Sequence, residues 1–190
     1  TTGEGGMVVT NREDLKTVLR SYQFRGQDLD LSGEQFLRPY GRNIRLPELS
    51  ALMGVLQYNR LNDYINKRRI VAEIYNNLIG KEELLFIPKP SSYSFHSYWL
   101  YTIILPKGIN RETLKNNCLN NWNINISWSY FPPMHMMPVF VNLYGSITGN
   151  LPISEDILSR TICLPIHPQI SEQDAKYVSN CFLHEFRKLG

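Results

Sequence analysis

Gly41-Arg42-Asn43-Ile44-Arg45-Leu46-Pro47-Glu48-Leu49-Ser50-Ala51-Leu52-Met53-Gly54 is the stretch on which the reading of this chain turns. Its first five residues put an amide and two guanidinium groups just ahead of a helix start, where free backbone N–H groups suit a phosphate. Pro47 fits a first helical turn, in which a missing N–H costs nothing. Leu49, Leu52, Met53 and Leu56 then form one apolar stripe. Leu61, Ile65, Ala72, Tyr75 and Ile79 continue it after a shift of phase at residues 59–62, so a long helix running towards Gly80 with a bend or break is predicted. A second local reading has Asn43 capping the helix or turn and Arg45 making a surface ion pair.

Upstream, Gly3-Glu4-Gly5-Gly6 gathers glycines around one carboxylate, a composition that permits positive φ and close backbone approach, with Glu4 able to hold neighbouring N–H groups. A plain tight turn is the competing reading. Met7-Val8-Val9-Thr10 suits a short buried strand. Thr10 and Glu13 have capping-box spacing ahead of a helix whose Leu15, Val18, Leu19 and Tyr22 share a face. Between Phe24 and Arg42 periodicity is lost, so a long irregular connection is expected there.

Downstream, strands are predicted at 99–105, 123–128 and 161–164, and helices at 111–120 and 154–160. Ser171 caps a last helix whose Ala175, Val178, Phe182 and Phe186 lie on one side. Strands interleaved with helices imply an α/β or α+β layer beside the long helix. Phe131-Pro132-Pro133-Met134-His135-Met136-Met137-Pro138 holds a histidine in a proline-flanked apolar loop. Such a loop presents an imidazole to a ligand at little entropic cost, or packs it as an ordinary hydrogen-bonded core residue.

Composition bounds the rest. With 190 residues, 43% hydrophobic and 12% aromatic, the chain has enough apolar surface for one sizeable core. A net charge of +3 is too weak for a nucleic-acid surface, and Lys67-Arg68-Arg69, bracketed by Asp63 and Glu73, reads as a solvated helix face. No apolar run reaches the roughly 20 residues of a membrane helix, which predicts a soluble protein with no membrane partner. Cys118, Cys163 and Cys181 are odd in number and lack CxxC spacing, which predicts reduced thiols in a cytoplasmic protein and no zinc site. The four histidines never occur as a ligand pair, so no metal is expected. Phosphate-loop, dinucleotide, zinc-protease and hydrolase-elbow motifs are missing. With no initiator Met and no leader pattern at Thr1-Thr2-Gly3, the chain reads as part of something longer.

Taken in order, residues 1–11, 41–54, Lys67-Arg68-Arg69 with Tyr75, Pro132-Pro133-Met134-His135 and Cys163-Leu164-Pro165-Ile166-His167-Pro168 resemble successive landmarks of one family. It is the nucleotide-sugar aminotransferase family named after DegT, DnrJ and StrS, and the resemblance covers essentially the whole chain. It implies an α/β fold: the end of the large domain plus the small carboxyl-terminal domain of a fold-type I pyridoxal-phosphate-dependent transferase. Residues 1–40 would end the large, cofactor-holding domain, and 41–190 would form the connecting helix and small domain.

The resemblance further implies a homodimer that aminates a keto sugar nucleotide, with glutamate as donor and pyridoxal 5'-phosphate as cofactor. In the family the lysine that carries the cofactor lies a few residues before the stretch that here begins at residue 1. No catalytic residue is therefore expected within this chain, and the chain alone is expected to be inactive; Lys16, the nearest lysine, belongs to a helix pattern. Asn43 matches an asparagine that reaches the cofactor phosphate of the neighbouring subunit. Arg45 matches an arginine near the phosphate and substrate, and His135 the histidine of a loop near the sugar. Glu4 is kept as structural. Two other readings stay open: a pyridoxal-phosphate sugar dehydratase, in which histidine replaces the lysine, and a non-catalytic remnant that dimerises or binds a sugar nucleotide.

Overall fold

The computed structural model describes residues 1–27, 40–146 and 148–190, and the chain divides into two compact units, Thr1–Leu61 and Asn62–Gly190. Most of the irregular connection expected between Phe24 and Arg42 lies outside the described residues.

In the first unit, α1 spans Glu13–Gln23 and α2 spans Glu48–Tyr58. The capping box expected at Thr10 does not form: Arg12 is the N-cap residue without a side-chain cap, and the Thr10 hydroxyl accepts from the Arg12 N–H at 3.1 Å. A local hydroxyl-to-backbone turn has won over the cap. Residues 7–10 form no strand, and Met7, Val8 and Val9 are 88%, 72% and 85% exposed. A strand needs a neighbour to take its N–H and C=O groups, and among the described residues of this unit no paired strand supplies one. Among its described residues the unit buries no large hydrophobic side chain.

The second unit carries the core. α3 spans Leu61–Leu78, and the phase shift read at residues 59–62 is where α2 ends and α3 begins. β1 (Tyr101–Ile104) and β2 (Thr161–Leu164) pair antiparallel, from Tyr101 opposite Leu164 to Ile104 opposite Thr161. Single bridges extend the pair on both sides, Phe86 to Ile104 and Ser127 to Cys163. The strand expected at 123–128 shrinks to that one bridge. Asn123, in the left-handed region at φ 55°, ends the preceding helix, and Trp128 turns to cover a guanidinium instead of continuing the ladder.

The helices that cover the sheet are α4 (Arg111–Trp122) and the last helix, Glu172–Arg187; between them in sequence lie α5 (Pro138–Tyr144) and α6 (Pro152–Arg160), making the last helix α7. α5 was not anticipated. Asn110 caps α4 by accepting from Thr113 N–H at 3.0 Å, and Ser171 with Asp174 forms a full capping box at the start of α7. The face predicted for α7, Ala175, Val178, Phe182 and Phe186, is buried throughout. It meets Leu114 and Cys118 of α4, Val71, Ala72 and Tyr75 of α3, Ile79 in the 3-10 turn just after it, and Ile103 and Ile162 of the sheet in one cluster. Burying each large side chain stabilises this unit by about 1.5–3 kcal/mol before chain entropy is set against it. Burial pushes the Cys118 thiol up to about 12, so it stays a neutral, hydrophobic filler.

Two polar contacts fix the register of these layers. The Tyr75 hydroxyl donates to the Pro165 carbonyl at 2.7 Å, joining two of the sequence landmarks across 90 residues. Glu185 of α7, 1% exposed, accepts from the Trp122 indole N–H at 2.9 Å and the Asn121 amide at 3.2 Å, with Lys188 Nζ at 3.3 Å. The Trp122 hydrogen bond foremost, then Asn121 and Lys188, hold its carboxyl below the usual glutamate range against the opposing effect of burial. A group with a depressed folded pKa contributes stability above its unfolded pKa and loses it as pH falls through the folded value. Urea unfolding should therefore show Glu185→Gln less stable than the parent at pH 7, with the gap closing as pH drops below the ordinary glutamate value near 4.3. A gap unchanged between pH 7 and pH 3 would contradict this origin.

Candidate functional site

In the first unit, the segment after α1 and the segment before α2 form a short antiparallel ribbon. Phe24 bridges Asn43, Arg25 N–H donates to the Arg42 carbonyl at 3.0 Å, and Arg42 N–H donates to the Tyr22 carbonyl at 2.7 Å. Gly41 is required by this approach, since a Cβ there would lie 1.7 Å from the Gly26 amide nitrogen. The ribbon brings Asn43 and Arg45 together: Arg45 Nε–H donates to Asn43 Oδ1 at 3.1 Å, and the Arg45 guanidinium lies over the Phe24 ring at 5.2 Å. Arg45 is thus held by an amide and an aromatic face, and forms no ion pair among the described residues. Nor does Asn43 cap the helix, because Pro47 is the N-cap residue and no side chain caps it.

With Oδ1 occupied, the Asn43 side-chain amide keeps two N–H donors that no acceptor among the described residues takes. Together with Arg25, Gln27 and Arg45 it lines a small pocket of about 90 Å³. That is room enough for a phosphate group. Among the described residues the charged groups in the lining, Arg25 and Arg45, are both cations, and the donor set fits phosphate oxygens.

The glycine turn sits in the same unit. Gly3 and Gly5 do adopt positive φ, 77° and 141°. The turn is closed by hydroxyls, Thr1 accepting from Gly3 N–H at 3.1 Å and Thr2 donating to the Glu4 carbonyl at 3.2 Å, and not by the Glu4 carboxylate. The first two landmarks meet here: Thr2, Gly5, Gly6 and Met7 face Leu46, Ala51 and Gly54 around a cavity of about 540 Å³. Lys16 lies on α1, in an exposed ion pair with Glu13 at 2.9 Å.

His135 belongs to the second unit, on a single 3-10 turn, Met134–Met136, just before α5. Its side chain is only 9% exposed, and Nε2 lies 2.8 Å from Glu155 Oε1 at the start of α6. The same oxygen accepts from Gly149 N–H at 2.8 Å. The hydrogen bond to His135 foremost, then the Gly149 amide, hold the Glu155 carboxyl below its ordinary range.

Two residues that hold this loop escaped sequence reading. Glu155 reads as an ordinary acidic residue in a first helical turn, and only the fold brings it to a histidine 20 positions away. Arg111, first residue of α4, reads as a surface cation. Its guanidinium instead lies between the rings of Trp128 (4.4 Å) and Phe131 (4.2 Å) and donates to the Leu158 carbonyl at 2.7 Å. The run Lys67-Arg68-Arg69 is likewise less solvated than expected. Lys67 pairs with Asp63 at 2.9 Å on the helix surface, but Arg68 Nε–H donates to the Ser97 carbonyl at 2.9 Å and Arg69 covers Phe95 at 4.2 Å. Among the described residues, no group of three or more His, Cys, Asp or Glu converges as a metal site, and no helix is long and apolar enough to cross a membrane.

Residues 1–183 match the model of the DegT/DnrJ/EryC1/StrS aminotransferase family. The chain belongs to this family. It is similar to a GDP-perosamine synthase of Escherichia coli O157:H7, 33% identical over 178 residues that make up 94% of this chain and 46% of that protein. The chain spans about half the length of the curated relatives it matches. Its fold is similar to that of Helicobacter pylori PseC, an aminotransferase involved in the biosynthesis of pseudoaminic acid, with TM-score 0.86 and 22% identity over 99% of this chain and 50% of that one. It is also similar to the PLP-form of a putative sugar aminotransferase, Spr1654, from Streptococcus pneumoniae, with TM-score 0.83 and 18% identity over 100% of this chain and 49% of that one. The fold of this family member is thus part of a fold-type I transferase, as the landmarks implied.

Proposed function

We propose that this chain is the carboxyl-terminal part of a pyridoxal-phosphate-dependent aminotransferase that converts a keto sugar nucleotide to an amino sugar nucleotide with glutamate as donor. The observation that carries the reading is the Asn43–Arg45 pair: amide and guanidinium donors around a phosphate-sized pocket, in a chain of an aminotransferase family. Bound to the whole enzyme, pyridoxal phosphate would supply the electron-withdrawing ring through which an amino group passes from donor to sugar. Asn43 would hold its phosphate from the neighbouring subunit of a homodimer, Arg45 would lie by the phosphate and substrate, and His135 would face the sugar. The cofactor-bearing lysine belongs upstream of Thr1 in this reading, and the enzyme works in the cytoplasm.

Residues 1–40 would complete the large domain and 41–190 the connecting helix and small domain. The lack of buried large hydrophobic side chains among the described residues of the first unit supports this, because a piece of a larger domain leaves its apolar groups for the rest of that domain to cover. The compact units part at Leu61, inside the connecting helix of this division.

The test uses the full-length protein with pyridoxal phosphate, glutamate and a panel of keto sugar nucleotides, read by product mass. Replacement of the carbonyl oxygen by an amino group, dependent on glutamate, is expected. Loss of water without nitrogen gain, or no turnover of any sugar nucleotide while the cofactor is bound, overturns the proposal.

A further inference from the structure

Glu155 Oε1 joins three separate stretches of the second unit: the 3-10 turn carrying His135, the turn at Gly149, and α6, whose first turn Glu155 occupies. Both contacts are 2.8 Å long, and the pair is largely withdrawn from water, with the His135 and Glu155 side chains 9% and 19% exposed. An ionised carboxylate only accepts hydrogen bonds, so the proton of this contact belongs to Nε2 of His135. In the neutral ring that assigns the lone pair to Nδ1. Nδ1 has no hydrogen-bond partner among the described residues, and it is not among the atoms sealed from solvent without one. The imidazole is therefore held by one nitrogen and offers the other.

We propose that Glu155 is a positioning residue that fixes His135 so that Nδ1 is presented as a hydrogen-bond acceptor to a hydroxyl group of the sugar. The proposal rests on the reading above that His135 lies at the sugar site. Its chemical consequence is selective. An acceptor fixed in place favours a substrate with a hydroxyl at that carbon over one with a deoxy carbon there, because a site built to bond a hydroxyl is left with an unpaired polar group by the analogue lacking it. Gly149, held by the same oxygen, belongs to the same clamp, so removing the carboxylate frees the histidine and the turn together.

The experiment is a double-mutant cycle in the full-length holoenzyme with a nucleotide-linked keto sugar. Glu155→Ala should raise KM for the sugar nucleotide by about tenfold, a loss of about 1.4 kcal/mol, and leave KM for the amino donor unchanged. Glu155→Gln, which keeps an oxygen that can accept from Nε2, should recover most of the loss. With His135→Ala in place, adding Glu155→Ala should cost nothing more. If the alanine protein does not fold, Glu155→Asp serves, since it keeps the charge but falls one carbon short of His135, and the same split is expected. Additive effects in the double variant, or equal rises in both KM values, overturn the proposal. Should the unsubstituted protein aminate no sugar nucleotide, the functional reading falls, and the clamp is decided without activity by ¹⁵N spectra of the His135 ring. A single Nε2–H tautomer in the parent that becomes mixed in Glu155→Ala supports it, and identical spectra overturn it.

Discussion

Replacing Arg111 with alanine is expected to lower the unfolding free energy by about 3–5 kcal/mol, a large part of the roughly 5–15 kcal/mol that holds a typical domain. The side chain fills a slot between two aromatic rings, 4.4 Å from Trp128 and 4.2 Å from Phe131. Each face contributes about 0.5–2 kcal/mol where the cation is partly desolvated. Nη1 also donates to the Leu158 carbonyl at 2.7 Å and the Thr161 carbonyl at 3.3 Å, at the end of α6, where the last carbonyls have no partner within the helix. Hydrogen bonds from a charged donor contribute about 1.5–3 kcal/mol. Truncation removes all of these and leaves the carbonyls without their donor. Arg111→Lys should recover only part of the loss, because an ammonium group cannot lie flat between two rings. Urea unfolding of the parent and both variants measures this, and a loss under about 1 kcal/mol for alanine would show that the guanidinium is only a surface ornament of the loop.

Asn43→Ala in the full-length enzyme should weaken cofactor binding by about 10- to 150-fold, equivalent to losing a charge-assisted hydrogen bond of about 1.5–3 kcal/mol. Asn43 and Arg45 sit in an exposed ribbon, so the effect should fall on binding and leave folding nearly untouched. If Asn43 serves the neighbouring subunit, the defect is exerted in trans. A heterodimer of one subunit lacking the cofactor-bearing lysine and one carrying Asn43→Ala then has one site with both defects and one with neither. Roughly half the parental activity per dimer is expected, against weak or no activity in each mutant homodimer. A heterodimer no better than the mutant homodimers means that Asn43 acts within its own subunit, and full activity with unchanged cofactor affinity removes it from the site.

The candidate site was legible to different depths. Asn43 and Arg45 stood out because the local pattern and the family landmark coincide within five residues, and their contact is local too, at 3.1 Å across two positions. His135 was visible as a residue, and a packed, hydrogen-bonded imidazole was one of its two readings, but its carboxylate partner was not visible. Glu155 and Arg111 carried no signal, since an acid in a first helical turn and a cation at a helix start are what any solvated helix shows. The Thr10 cap and the strand at residues 7–10 failed for a related reason. A cap is chosen among competing local donors, and a strand exists only when another segment takes its hydrogen bonds.

The sequence by itself determined what depends on spacing along the chain: the break between α2 and α3, the buried face of α7 with its Ser171–Asp174 box, β2, and the order of landmarks that places the chain in its family. Periodicity and capping act over three to seven residues, so they are written where they act. Only the tertiary structure decided that the Tyr75 hydroxyl meets the Pro165 carbonyl, that Arg111 stacks between Trp128 and Phe131, and that Glu155 holds His135. Those partners lie 17 to 90 positions apart. A polar group leaving water accepts whatever partner the packed layers bring within reach, and that choice is made by the packing of the core, with no trace in the neighbouring residues.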